Sequence, residues 1–331
     1  MNDWLLGLLM MLFSASSCAP EADAPRPIRL TETPQVRLDI PSGQYSGISF
    51  VGGNQFVVVD DKVNGGGIHS YVAQLDSLGN VEMALVSSLP ANKGGEKGLD
   101  NEDIAYVKER NSLFVSSEAT QSIREYSLNG KPTGASLAVP EAFGAGKTLP
   151  NRGFESLAYN AATGLFWTTT EMPLPADTLH RVLSFSAKTL EAGEEFLYRA
   201  EKPLIEPDLA ASARAYVFGI PAMVALDDGR LIVMEREVYV PQGGLGTLLT
   251  DSFGTASLYE VDPLRCKQPV LEKKLLLSFT TYALNLANYE GMCLGPVLPD
   301  GTQTLLLLPD SQGGMGGLVG EYLKVVKLQY E

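Results

Sequence analysis

Along most of the chain, apolar and polar residues alternate in short runs broken by Gly, Pro, Asn and Asp, which is the two-residue period of β-strands. Five segments repeat one shape: YSGISFVGGNQFVVVDD (45–61), NEDIAYVKERNSLFVSSE (101–118), FESLAYNAATGLFWTTTE (154–171), PAMVALDDGRLIVMER (221–236) and YEGMCLGPVLPDGTQTLLLLPD (289–310). Each joins two apolar strands across a turn and carries an acid at or near its end, the pattern of a hairpin. Two further alternating runs follow each of the first hairpins, such as SIREYSL and ASLAV after the second, or RVLSFSA and EEFLYR after the third. After the fifth only YLKVVKLQY remains, and QVRLDIP (35–41) can supply the missing strand. Four-stranded units starting at 45, 101, 154, 221 and 289, sealed by an N-terminal strand, predict an all-β fold: a single β-propeller domain of five blades over 35–331. The alternatives are a sixth blade, drawn from 200–220 or from a split of the N-terminal part, and a two-sheet sandwich. LIEPDLAASARA (204–215) is the nearest approach to a helix.

The repeat also places its acids. In an antiparallel hairpin, residues equidistant from the turn face one another, which predicts Glu102 opposite Glu118 and Glu155 opposite Glu171, each pair sixteen residues apart. The equivalents are Ser46 with Asp60, Ala222 with Glu235, and Glu290 with Asp310, so acids gather toward one rim of the channel. Like charges set opposite each other are destabilising. The ring therefore calls for a bound cation, an arginine partner or raised pKa values, and Arg152 and Arg236 are the internal candidates. The plainer reading is that each acid ties backbone groups and arginines together between blades. The long segments 92–101, 141–152, 172–181, 200–220, 237–255 and 311–320 lie at the acid end, whereas the turns at the other end are tight. Loops on a rigid scaffold carry binding, so the site is expected at the acid end. Tyr239 and Phe253 in 237–255 are candidate ligand contacts, while Trp167 within LFWTTTE reads as core.

Composition narrows the function classes. With 39 Asp and Glu against 25 Lys and Arg, a net charge of −14, the chain lacks the basic face that a nucleic-acid partner requires. At 45% hydrophobic and 19% charged it can bury a core, so it is not a disordered chain. The apolar run WLLGLLMMLF (4–13) is too short to span a bilayer and reads as the core of a signal peptide over 1–17, which predicts export. Ala15, Ser16 and Ser17 before Cys18 resemble a bacterial lipoprotein signal, making Cys18 the expected lipid anchor; a simple cleaved signal is the alternative. Residues 18–34 read as a flexible tether. A monomer in the bacterial cell envelope, touching the membrane only through that anchor, is the expectation. Cys266 and Cys293 could pair or stand apart as small hydrophobes. Only His69 and His180 are present, without a Cys/His cluster, which argues against zinc, and the absence of G-x-S-x-G argues against a serine esterase.

The elements GLDNEDIAY…LFVSSE, NRGFESLAY…LFWTTTEMPL, LIVMER and NYEGMCLG…LLLLPDS resemble the phytase-like family, also described as "esterase-like activity of phytase", over most of the chain. The resemblance implies an exported propeller that hydrolyses phosphoesters or esters. Its acids and arginines fall on Glu102, Glu118, Arg152, Glu155, Glu171, Glu235, Arg236, Glu290 and Asp310; Ser46 and Ala222 depart from the acidic position. On this reading Glu155, Glu171 and Arg152 are the candidate catalytic residues. Arg236, Glu235 and Asp310 would bind substrate, and Glu102, Glu118, Glu290 and Asp60 would hold Ca²⁺, an ion that takes oxygen ligands. The cation and an arginine would neutralise a phosphate while water attacks. The competing expectation is a non-catalytic propeller that binds a small ligand or partner on the same face.

Overall fold

The computed structural model describes residues 25–61, 67–90, 99–311 and 320–331. Residues 1–24, with the signal segment, Cys18 and the start of the tether, lie outside the described residues, as do 91–98 and 312–319 of the long segments. The chain opens with β1 (Ile28–Arg37) and then builds four blades in order. Blade 1 comprises β2 (Tyr45–Gly52), β3 (Gln55–Asp60), β4 (Gly67–Leu75) and β5 (Val81–Pro90). Blade 2 comprises β6 (Asn101–Val107), β7 (Ser112–Ser117), β8 (Ser122–Ser127) and β9 (Pro132–Ser136). Blade 3 holds β10 (Phe154–Asn160), β11 (Leu165–Thr170), β12 (His180–Ser186) and β13 (Ala192–Tyr198). Blade 4 holds β14 (Ala215–Ala225), β15 (Leu231–Val240), β16 (Phe253–Val261) and β17 (Lys273–Tyr282). In blade 5, β18 (Asn288–Val297), β19 (Gln303–Asp310) and β20 (Tyr322–Tyr330) take β1 as their outer strand.

The fold is therefore the expected five-bladed propeller, and there is no sixth blade in 200–220: that stretch holds the one-turn helix α1 (Pro207–Ala211) and the start of β14. The closing strand begins at Ile28, inside the stretch read as tether, and takes only Gln35, Val36 and Arg37 from QVRLDIP. Pro27 and Pro34, together with an irregularity between Glu32 and Gln35, hide its alternation in the sequence. A second short helix, α2 (Leu245–Asp251), occupies part of the Gly-rich 237–255 segment.

The core is a set of seams between blades. Leu306 and Leu308 of β19 pack with Tyr45, Ile48, Phe56 and Tyr71 of blade 1, while Leu305 and Leu307 pack with Ala222, Ile232 and Leu258 of blade 4. This two-sided burial explains why the second strand of a blade reads as an unbroken apolar run such as LLLL: it is sandwiched between neighbours and presents no face to water. Trp167 belongs to the seam between blades 3 and 4 and is 1% exposed, core as expected. Cys266 and Cys293 are unpaired.

Candidate functional site

The five inner strands pack in a ring, β2 against β6, β6 against β10, β10 against β14, β14 against β18 and β18 against β2. Each carries an irregularity at the same height. In blade 3, Phe154 pairs with Thr170 and Ser156 with Thr169, so Glu155 is extruded as a β-bulge; Glu171 then follows the ladder and donates its N–H to the Gly153 carbonyl at 2.8 Å. In blade 1, Ser46 is extruded and Asp61 follows the ladder. Blade 2 extrudes Glu102 and Asp103, with Glu118 following. Blade 5 extrudes Glu290 opposite the Pro309–Leu308 step, which aligns Asp310 with Glu171. In blade 4, Gly219 pairs with Arg236 and Ala222 with Met234, so Ile220 and Pro221 stand opposite Glu235.

Two tiers result, one of bulged residues (Ser46, Glu102, Glu155, Pro221, Glu290) and one of ladder-end residues (Asp61, Glu118, Glu171, Arg236, Asp310). The bulge corrects the expected face-to-face pairs. Glu102 is not opposite Glu118, nor Glu155 opposite Glu171: Glu118 and Glu171 meet Asp100 and Gly153, two residues earlier on the inner strand, and the bulge accounts for one of those two steps. It also corrects the membership. Asp60 sits one step short of the tier and turns toward the seam with blade 5, where its carboxylate accepts the Gln44 N–H at 3.3 Å. Glu235 sits between blades 3 and 4, accepting from the Tyr198 hydroxyl at 2.5 Å, the Glu201 N–H at 2.8 Å and Lys273 at 2.7 Å. Neither lines the channel mouth; their neighbours Asp61 and Arg236 do.

The mouth is a cavity of about 240 Å³ whose walls include Asp61, Glu102, Arg152, Glu155, Glu171, Arg236, Glu290 and Asp310. It thus brings together Glu102, Glu155, Glu171, Arg152, Arg236, Glu290 and Asp310 of the predicted residues. Glu118 lies just beneath, its carboxylate accepting the Gly153 N–H. Glu102, Glu118 and Glu155 are all buried and can each place a carboxylate oxygen within 4.8 Å of the others; the half-buried Asp61 and Asp100 form a second such group with Glu102. Asp61 and Asp100 escaped the sequence reading. The doubled acid in VVVDD leaves its register open by one residue, and Asp100 precedes the repeat.

Charge is unevenly distributed across the mouth. Burial, and then the Glu290 and Glu118 carboxylates, push Glu102 well above the usual carboxylate range. Burial and then Glu102 do the same to Glu155. Burial pushes Glu118 up to about 7 against the opposing Gly153 N–H. Across the cavity, Arg236 is 3% exposed and donates to Glu171 at 2.6 Å, to Glu290 at 2.5 Å and to the Asn288 side chain at 3.0 Å. Burial works against its charge, but Glu290, Glu171 and Glu155 prevail and raise its pKa. Arg152 also pairs with Glu171, from the rim, with 30% of its side chain exposed. Gly219 makes this geometry accessible: its φ is +151°, and a Cβ there would lie 2.5 Å from the Glu171 carbonyl. His180 braces the same carbonyl with Nε2 at 3.0 Å, and burial pulls its pKa down to about 4. Tyr239 and Phe253 pack against each other with their rings tilted by 41° and centroids 5.9 Å apart, and neither lines the cavity.

The family described as phytase-like, "Esterase-like activity of phytase", matches residues 40–312. No curated protein matches the chain. Similar solved structures include an endo-arabinase from Bacteroides thetaiotaomicron VPI-5482 (12% identity, 91% of this chain and 98% of that chain, TM-score 0.46). A streptogramin B lyase (13% identity, 91% and 98%, TM-score 0.35) is also similar. So is a PQQ-bound aldose sugar dehydrogenase from Streptomyces coelicolor (11% identity, 88% and 82%, TM-score 0.38).

Proposed function

The chain belongs to the phytase-like family, and from that premise we propose that it is a hydrolase of ester or phosphoester bonds, working at the acidic mouth with a divalent cation held by Glu102, Glu118 and Glu155. One observation carries the reading: three buried carboxylates converge, and among the described residues no lysine or arginine forms an ion pair with them, while Arg152 and Arg236 pair with Glu171 and Glu290 instead. Buried charges need a partner or neutralise by protonation. An all-oxygen set suits Ca²⁺ better than a soft metal. A cation at this place would screen the charge developing on a phosphoryl or carbonyl oxygen and acidify water beside it.

The residues then divide the work. Glu155 belongs to the cluster and also lines the cavity, so it would hold the cation with one carboxylate oxygen and offer the other to the proton of the attacking water. Arg152, partly exposed at the rim, is placed to meet an anionic group entering there. Glu171 fixes both arginines through its two oxygens. The proposal extends to an exported monomer, anchored at the cell envelope through Cys18; Cys18→Ser should release it into the soluble fraction.

Purified protein assayed on an aryl phosphate, an aryl carboxylic ester and phytate should turn over at least one of them in a Ca²⁺-dependent manner. Glu155→Gln should lose about 100-fold or more of that activity while melting cooperatively. No turnover of any of the three with Ca²⁺ present, or undiminished turnover by the variant, defeats the enzyme reading. A second reading, a ligand-binding propeller without catalysis, is favoured by Arg236, whose contacts tie blades 3, 4 and 5 together.

A further inference from the structure

The cavity has a wall that the proposed chemistry leaves unused. Blade 4 stands higher than blade 3 at the mouth: β14 and β15 are eleven and ten residues long, against seven and six for β10 and β11. Above the Gly219–Arg236 pair, the ladder continues with Val217 opposite Val238 and Ala215 opposite Val240. Alternate residues share a face of a sheet, so these four side chains rise directly above the Arg236 guanidinium, and all four line the cavity. Leu286 from the approach to β18 completes the wall, and Leu248 of α2 backs it. Outward from it, Leu245 and Leu249 of α2 are 67% and 43% exposed. Next to α2, at residues 283–285, Leu284 is 83% exposed. An apolar track therefore runs from the charged floor of the cavity to its rim.

Resting on the hydrolase reading, we infer that the substrate is an ester or phosphoester of a hydrocarbon chain, the chain lying along Val217, Val238 and Val240 while its polar head meets Arg152 and the carboxylate floor. The charges disfavour the opposite class. A polyphosphate needs many cations around it, and here the two arginines of the cavity are already engaged with Glu171 and Glu290. Hydrocarbon against the wall gains from leaving water at no electrostatic cost.

The test uses the full chain with Ca²⁺ and a series of butyl-, hexyl- and octylphosphonic acids, with binding read by calorimetry. Each added methylene is expected to tighten binding by up to about fourfold until the track is filled. Val217→Asp should abolish that dependence, and Val217→Thr, which keeps the shape, should weaken it with an unchanged melting curve. Affinity indifferent to chain length, or tighter binding of phytate than of octylphosphonic acid, overturns the inference. Turnover of p-nitrophenyl acetate, butyrate and octanoate separates it from the hydrolase reading. Hydrolysis at equal efficiency for all three overturns the chain-binding track alone. Chain-length-dependent binding with no turnover supports the track while the hydrolase reading falls.

Discussion

The two halves of the channel mouth are built from equivalent positions of the same repeat and have opposite electrostatic character. On the side of blades 2 and 3, Glu102, Glu118 and Glu155 crowd together with raised pKa values and no ion-paired base among the described residues. Across from them, where Glu171 and His180 at the far edge of blade 3 meet blades 4 and 5, Pro221 replaces the bulged glutamate and Arg236 replaces the ladder-end acid, so Glu171 and Glu290 are neutralised within the protein. The first half stores repulsion that something else must relieve; the second is closed by its own charges. The difference teaches that the repeat supplies a scaffold of positions, and that Pro221 and Arg236 in one blade, beside the neutral Ser46 of another, turn a largely acidic ring into a polarised cleft.

Removing the arginine should break the contrast most severely. Arg236→Met leaves Glu171 and Glu290 buried without their shared cation, and the expected loss is about 3–5 kcal/mol, read as a fall in the urea midpoint. An unchanged midpoint would mean that the two halves are held alike. The pH dependence of the closed half is next. His180 is kept neutral by burial, with its pKa down at about 4 against an ordinary 6.5. Below 6.5 the unfolded chain takes up a proton that the folded one refuses, so this stabilisation is present above pH 6.5 and drains away as pH falls toward 4. Comparing wild type with His180→Gln isolates it: the variant should lose less stability over that window, by on the order of 3 kcal/mol at most.

Crowding Glu171 should have a smaller effect. Gly219→Ala puts a methyl against the Glu171 carbonyl and should cost about 1–3 kcal/mol together with weaker arginine fixation, detectable as a lower melting temperature. The open half should respond only when a cation is present. In EDTA, where burial and Glu102 favour the protonated form of Glu155, Glu155→Gln exchanges one neutral group for another and should change stability by less than about 1 kcal/mol, whereas in Ca²⁺ it should forfeit the cation-induced rise in melting temperature that the wild type shows. Destabilisation in both conditions would show that Glu155 is a structural tie and not part of a cation site.

Much of this was legible in the sequence. The repeated hairpins carry the blade count, the propeller and its closure, because each strand's pattern reflects burial between neighbouring blades. The acidic rim was legible too, to within one residue. What a single sequence hides is the bulge: it leaves strand patterns intact while shifting cross-strand partners by one, which moved the reading from Asp61 to Asp60 and paired Glu235, not Arg236, with the inner strand. The apolar wall was hidden for another reason. Val238 and Val240 run into Pro241 and a Gly-rich stretch, so EVYVPQGG reads as loop although the ladder continues to Val240. The link from Arg236 to Glu290 is a meeting of separate blades that no local spacing announces.

The seal between β1 and β20 has a consequence in time. Ile28 pairs with Tyr330 and Arg37 with Tyr322, so among the earliest residues of the fold to be synthesised wait for the last before either strand is satisfied. Blades 1 to 4 can form in order as the chain emerges, but the fifth cannot be completed until β20 has been made, leaving the exposed edge of β20 and an unpaired β1 as the final species on the path. Ring closure is thus the step at which misassembly between two chains, each lending its first strand to the other, competes with correct folding.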